Sequence, residues 1–395
     1  MQNKRISSAN GFSTLSWVNA GRMRNKGWEL NASTAKFAKV GKFSMKLRGN
    51  VSQNFNTVEE MDPLILENLN GSETWNPTNL SYNQRVQLNN ALGSIYGLRS
   101  KGVYRYDYDH NGYTVASFNS YGYTEVGADG GTTFDNPDDA ARYGTGYDKD
   151  KNPINTAAAA ARRGENSTCP IAYDANGNMI TDGRGNPLPM YYCYNEGSKT
   201  AFSGGDAIYE DINHDGSIDR YDMVYLGNSN PKCYGGFGIN LYYGRFELNA
   251  SFNFRMGNQI VNLARGNYES MTSNMNQSYA TTWRWRKNGD ITEIPRALNS
   301  SQVSSYNSLP SDRYVEDGDY LRLQYIQVKY NFDPKKLKKI GVRNLYLSAT
   351  INNVFCWTKY TGVDPEVGIG GYAVATDNSK TPRARSFTCS VNLGF

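Results

Sequence analysis

Between positions 211 and 222 the chain reads Asp211-Ile-Asn213-His-Asp215-Gly216-Ser217-Ile-Asp219-Arg-Tyr-Asp222, a spacing that suits a divalent cation. Calcium takes about six to eight hard oxygen ligands, and a twelve-residue loop supplies them from positions 1, 3, 5, 7, 9 and 12, with glycine at 6 for the sharp turn. Those positions are Asp211, Asn213, Asp215, the Ser217 carbonyl, Asp219 and Asp222, and Gly216 stands at the turn. Asp222 is one methylene shorter than the glutamate usual at the last position, which weakens bidentate closure and the selection of calcium over magnesium. No amphipathic helix flanks the loop, so it is not half of an EF-hand. The same residues also suit a surface turn whose Asp and Asn side chains bond their own backbone. The expectation is a calcium loop, with magnesium the weaker competitor.

The elements that must position this loop begin immediately after it. Phe246, Leu248, Ala250, Phe252, Phe254 and Met256 alternate with Glu247, Asn249, Ser251, Asn253 and Arg255, so one face of the strand is oily and the other wet. A tilted membrane strand needs about 9–11 residues, and apolar-out, polar-in alternation marks a transmembrane barrel. A strand of a soluble sandwich alternates in the same way but usually runs about 5–6 residues.

Composition narrows the class. In 395 residues there are 30 Tyr and 39 Gly but two His, and the mean hydropathy of −0.66 describes a loop-rich, all-β chain. No run approaches a transmembrane helix. A net charge of +5 is small for this length and argues for neither nucleic acid nor an anionic membrane surface as a partner; no nucleic-acid partner is expected. Two His, no nucleophile motif and no recognisable carboxylate pair argue against an enzyme. Of the five cysteines, Cys169 and Cys193 are the pair to expect in an oxidising compartment, and Cys389 falls on an apolar strand face as a small hydrophobe.

In chain order, residues 13–20 read as a weak strand and 21–27 as a turn. Trp28, Leu30 and Ala32 open a second strand, and Phe43, Met45, Leu47 and Val51 a third. Short helices are expected over 59–69 and 156–163, and turns over 107–112, 174–177 and 182–187. Strands follow at 234–243 and 246–256. Trp283-Arg-Trp285-Arg interleaves aromatic and cationic side chains that could stack on sugars or bases, although an aromatic loop packed on its neighbours is the stronger reading. In the strand 320–332, Leu321, Leu323 and Tyr325 share one parity and Ile326, Val328, Tyr330 and Phe332 the other, which calls for a β-bulge near Tyr325. Residues 333–341 form a basic turn. Leu345, Leu347, Ala349 and Ile351 alternate next, and the chain ends on Phe387, Cys389, Val391, Leu393 and Phe395, the last an aromatic on the lipid face.

Counting these eight strands back from a periplasmic C-terminus puts the connections at 38–41, 244 and 333–342 inside. It puts 56–233, 257–318 and 356–384 outside. Short periplasmic turns and long extracellular loops are what bacterial barrels show.

With this pattern in place, several motifs resemble one family in its own order. They are Val18-Asn-Ala-Gly21 with 25–30, the run 93–104, Gly205-Asp206 with 211–222, Leu226-Gly-Asn-Ser-Asn-Pro231, Tyr314 to Leu323, Asn352-Asn-Val-Phe355, and Lys359 to Val367. Together they resemble the C-terminal half of the SusC/RagA-type TonB-dependent outer-membrane transporters of Bacteroidetes. The resemblance implies an antiparallel transmembrane β-barrel portion in the outer membrane, about 8 to 10 strands of a barrel of about 22. It implies import of an oligosaccharide or peptide, a SusD-like lipoprotein lid, and the TonB complex as energy source. It carries over to the metal loop and to Phe395 as a barrel C-terminal signal, whereas substrate contacts do not transfer; Trp283 and Trp285 are the weak candidates. The family's signal peptide and plug domain do not appear in these residues, and the first and last strands would each leave an edge that lipid cannot satisfy. The expectation is therefore that a further polypeptide supplies the remaining barrel and the plug. The competing reading is a calcium-dependent soluble or surface-attached adhesion protein with the same strands in a sandwich.

Overall fold

The computed structural model describes residues 2–5, 9, 14–18, 21–63, 65–66, 82, 86–104, 170–185, 187–195, 198–272, 276–286, 290, 292–298, 306–366 and 374–395. Strands β1 (Gln2–Arg5) and β2 (Thr14–Val18) form a separate antiparallel pair. A large sheet begins with β3 (Gly21–Ser33), β4 (Phe37–Val40) and β5 (Phe43–Met61). The connection after it carries β6 (Ser94–Gly97), β7 (Ser100–Val103), β8 (Tyr191–Asn195), β9 (Ser198–Ala201), β10 (Ala207–Tyr209), β11 (Ser217–Ile218) and β12 (Val224–Asn228). The sheet resumes with β13 (Cys233–Tyr243) and β14 (Phe246–Met256). A second connection holds β15 (Gln259–Asn262), the helix α1 (Leu263–Glu269) and β16 (Val315–Asp317). Then come β17 (Tyr320–Asn331), β18 (Asn344–Thr358), β19 (Thr376–Asp377) and β20 (Ser386–Gly394).

Eight strands make the large antiparallel sheet, in the order β20-β18-β17-β14-β13-β5-β3 with β4 also on β5. The membership differs from the sequence expectation at its first strand. Thr14–Val18 pairs with Gln2–Arg5 rather than joining the sheet, and the expected turn at 21–27 is strand. Gly21 and Gly27 mislead because they sit against the β5 backbone, where a Cβ would stand 2.2 Å from the Glu60 carbonyl and 2.3 Å from that of Gln53. They are close-approach glycines inside a strand. The strand β5 also runs on to Met61, past the start of the helix expected over 59–69, and a helical turn follows it, with Leu66 N–H donating to the Asp62 carbonyl at 2.8 Å. The helix expected over 156–163 and the turn over 107–112 lie outside the described residues.

Registers follow the alternation read from the sequence. Phe252 and Phe237 stack across β14 and β13, with centroids 4.6 Å apart. On the opposite face a side-chain ladder runs from Asn240 to Asn249 (2.5 Å), Gln327 (3.2 Å) and Thr350 (3.1 Å). The β-bulge expected near Tyr325 is present: against β14, Gln324 is the extra residue between the Phe252–Leu323 and Ser251–Tyr325 pairs, whereas against β18 the extra residue lies on β18, where Asn353 and Val354 fall between the Leu323–Phe355 and Tyr325–Asn352 pairs. It switches parity without turning either face over.

The apolar face of the sheet is open. Val391 is 70% exposed and Phe387 73%, the kind of apolar surface that a membrane or a partner covers. The buried core lies elsewhere, in the three long connections. Tyr96, Leu98, Tyr192, Phe202, Ile208, Ile218 and Leu309 form one cluster, and Tyr82, Ile95, Val261, Tyr314 and Val374 another. A small sheet, β16-β15-β19, joins the second and third connections. The region expected to be patternless, 56–233, thus contributes strands and core to one body at the long-connection end of the sheet. Short turns mark the other end: Gly244 takes φ +61° between β13 and β14, and Arg245 pairs with Asp333 at 2.5 Å.

Candidate functional site

The loop 211–222 enters from β10 and is anchored at its middle. Ser217 and Ile218 pair in parallel with Tyr191 and Tyr192 of β8, and Ile218 is fully buried in the core. Gly216 takes φ +78°, the left-handed turn that the sixth position requires. Its N–H donates to Asp211 Oδ2 at 2.8 Å, while Asp211 Oδ1 is buried without a hydrogen-bond partner. Asn213 and Asp215 face each other, with Asn213 Nδ2 donating to Asp215 Oδ2 at 2.9 Å.

Asp222 does something the spacing did not reveal. Its two carboxylate oxygens accept from the N–H groups of Ile212 and Asp219, each at 2.8 Å, so it staples both ends of the loop. Asp219 in turn caps the 3-10 turn Arg220–Asp222 by accepting from Tyr221 N–H. Among the described residues no three His, Cys, Asp or Glu side chains converge as a ready ligand set. The electrostatics are those of acids held together. Burial, then the Asp215 charge, raises the pKa of Asp211 and of Asp219. Burial, with added repulsion from Asp211 and Asp219, pushes Asp222 up to about 6. Asp211 Oδ1 is the unspent oxygen that a hard dication would use here, and a cation would relieve the repulsion.

Trp285 is buried with its indole against Gly205, and its backbone N–H donates to the Ile294 carbonyl at 2.9 Å. That placement makes it a core residue and removes it from the substrate candidates. Trp283 packs edge-on against the exposed Tyr279, with centroids 6.4 Å apart. Cys193 is a free thiol within β8, and Cys169 lies outside the described residues. Phe395 is 77% exposed, next to Gly394, whose carbonyl accepts from Arg343 N–H.

Sequence reasoning missed the polar face of the sheet as a site. At its long-connection end Arg322 is buried, donates to Asp364 at 2.6 Å and to Asn353, and forms an ion pair with Glu366 at 3.0 Å. Tyr320 adds its hydroxyl to Glu366 at 2.7 Å. These bonds bind the third connection across the face. Beside them a groove of about 670 Å³ is lined by Arg48, Asn50, Gly236, Asn253, Arg255 and Glu366, among others. The signal available in the sequence was an arginine at polar parity on each of β5, β14 and β17.

No family model matches the chain. It is 27% identical to the TonB-dependent receptor P39 of Formosa agariphila over all of its own length and 32% of that protein's. It is 24% identical to the TonB-dependent receptor SusC of Bacteroides thetaiotaomicron over 48% of the chain and 17% of SusC. The chain thus spans about a third or less of the length of these curated relatives. A solved structure of the RagAB peptide transporter superposes on 99% of the chain and 31% of its own, with a TM-score of 0.56 at 13% identity.

Proposed function

Because the chain is a SusC/RagA-type portion of a TonB-dependent β-barrel of the bacterial outer membrane, we propose that it serves the import of oligosaccharides or peptides. A SusD-like lipoprotein covers the long-connection end, TonB supplies the energy, and further strands with a plug complete the barrel. The observation that carries this reading is the two-sided sheet, with an apolar face that lipid would cover and a polar face crossed by hydrogen-bonded side chains. The body built from the long connections would be the extracellular surface that meets the lid. No catalytic role is part of the proposal. The adhesion reading is disfavoured because a sandwich would bury the face that carries Phe387 and Val391.

We also infer that the loop 211–222 holds calcium through Asp211, Asn213, Asp215, the Ser217 carbonyl and Asp219, with Asp222 bracing the loop. Its role is to fix this part of the long-connection body. The test of the import reading is mass spectrometry of the complex extracted in detergent from outer membranes, together with uptake in strains with and without TonB. Co-purification with a lipoprotein and TonB-dependent uptake are expected. A detergent-free monomer in the soluble fraction would overturn the reading.

A further inference from the structure

We propose that the groove at Arg48 and Arg255 is an anion subsite that takes carboxylate or sulfate groups carried by the imported solute, an assignment that rests on the import reading above. Arg48 is built into place. Its Nη2 donates to the Tyr325 hydroxyl at 3.0 Å, three strands away. Its stem crosses Gly238, where a Cβ would stand 2.5 Å from Arg48 Nε. Any side chain at 238 would evict the guanidinium, so the glycine keeps the cation flat across the sheet. Gly236, one rung further, leaves the groove floor as bare backbone between Asn50 and Asn253.

Among the described residues the charges in the groove do not cancel. Among the described residues that line it the one acid is Glu366, already paired with Arg322 at 3.0 Å and Arg383 at 3.4 Å. Lower on the same face Lys329 and Glu247 pair at 3.7 Å. Among the described residues neither Arg48 nor Arg255 has a carboxylate within ion-pair reach. Two unneutralised guanidiniums over a polar floor select for anions, and Arg presents paired donors that match carboxylate or sulfate. The registers place the two arginines four residues apart along the sheet and two strands across, roughly 16 Å between backbones. An extended oligomer with repeated acidic groups engages both.

The experiment uses the full-length protein purified from outer membranes in detergent, with whatever subunits accompany it. Four fluorescent probes are compared: an oligoglutamate octapeptide and its oligoglutamine twin, and a sulfated oligosaccharide and its unsulfated twin. At least one anionic probe should bind about tenfold or more tighter than its neutral twin, as one charge-assisted contact implies, and salt should narrow the gap. The probe that shows it tells carboxylate from sulfate. Arg48→Gln with Arg255→Gln should close the gap, Arg48→Lys should keep much of it, and Lys335→Gln in the far turn should leave it unchanged. Unchanged heat-modifiability on gels shows that the variants are folded. Equal binding of twins, binding of no probe, or a gap that survives the double variant would each overturn the subsite. TonB-dependent uptake of a growth substrate is scored separately: intact uptake without charge discrimination removes the subsite alone, while absent uptake removes the import reading.

Discussion

The indole of Trp285 occupies the space where Gly205 would carry a side chain: a Cβ on Gly205 would lie 2.3 Å from Trp285 Cε3. Gly205 also takes φ +82°, so two independent constraints exclude any other residue. The pair closes the long-connection body, since Arg296 N–H donates to the Gly205 carbonyl at 2.8 Å and Gly205 N–H to that of Tyr104 at 2.8 Å.

Gly205→Ala should therefore destabilise this body by about 2–4 kcal/mol, combining overpacking with backbone strain. The sheet, which shares few buried contacts with it, should stay inserted. Limited proteolysis of membranes should show faster cleavage within 94–228 and unchanged heat-modifiability. Loss of the sheet along with the body would contradict this division.

Asp206 sits fully buried beside Gly205. It accepts from Arg296 Nε at 2.7 Å, from Asn307 at 3.1 Å and from Ser203 N–H at 2.7 Å. The carboxylate holds the Arg296 guanidinium protonated well above its ordinary value, although burial works against the charge. Arg296→Met strands a buried charge and should cost about 3–5 kcal/mol, whereas the double variant with Asp206→Asn should recover a large part of it. Hydrogen exchange at Tyr104 and Ala207 reads the effect; equal losses in the single and double variants would show that packing, not charge, dominates.

The calcium loop yields a pH dependence of definite sign. Asp222 has a folded pKa of about 6 against an ordinary value of 3.8, burial being the main cause. The folded loop binds that proton more tightly than the unfolded chain does. Without metal, its contribution to stability is complete below about pH 4 and is lost as pH rises through about 6. Cleavage within 211–222 should therefore increase from pH 4 to 7 in chelator. Millimolar calcium should suppress it at pH 7 and do so poorly at pH 5, where protons compete. Asp222→Asn should flatten the metal-free profile, and Asp215→Ala should weaken calcium protection without lowering the heat stability of the sheet. A flat wild-type profile would rule out this titration, and calcium-independent cleavage at pH 7 would rule out the metal.

How much of this was legible depends on where the pairing partner lies. The hairpin of β13 and β14 and the terminal strand β20 could be read directly, because two-residue alternation survives in a strand that faces lipid on one side and water on the other. The phase change at Tyr325 even located the bulge. The body over 94–228 could not be read: β6 pairs with β12 and β7 with β10 across more than a hundred residues, and strands of 3–5 residues are too short to show a period. The spacing of 211–222 predicted its glycine turn. It could not predict that Asp222 would spend both oxygens on backbone N–H groups, because that depends on how the loop closes rather than on which residues it contains. Gly21 and Gly27 read as turn punctuation for a similar reason, since sequence does not distinguish a glycine that bends the chain from one that admits a neighbouring strand.

The bulge makes the facing of the sheet testable residue by residue. Val328 and Leu347 lie on the apolar face and are 43% and 42% exposed, while Gln327 and Thr350 are joined by a hydrogen bond on the polar face. In a background without native cysteines, Val328→Cys and Leu347→Cys should react with a lipid-soluble maleimide in membranes. Gln327→Cys and Thr350→Cys should react instead with a water-soluble one. Deleting Gln324 leaves Leu323-Tyr325-Ile326 in strict alternation, so β17 can pair with β14 without an extra residue, keeping Leu323 on Phe252 and Tyr325 on Ser251. The strain of the deletion falls on β18, where Asn353 and Val354 already lie between the partners of Leu323 and Tyr325. The deletion should therefore keep the alternating labelling of Gln327→Cys and Val328→Cys. Adding one alanine after Ile326 instead should turn over the positions from Gln327 onward or break their register; turning over would put Lys329 against lipid, where a charged side chain costs about 2–4 kcal/mol near the midplane and less toward the interface, and the heat-modifiable, inserted fraction should fall sharply. Inverted labelling in the deletion variant, or unchanged labelling and insertion in the alanine variant, would show that the residue count at the bulge does not set the facing of β17.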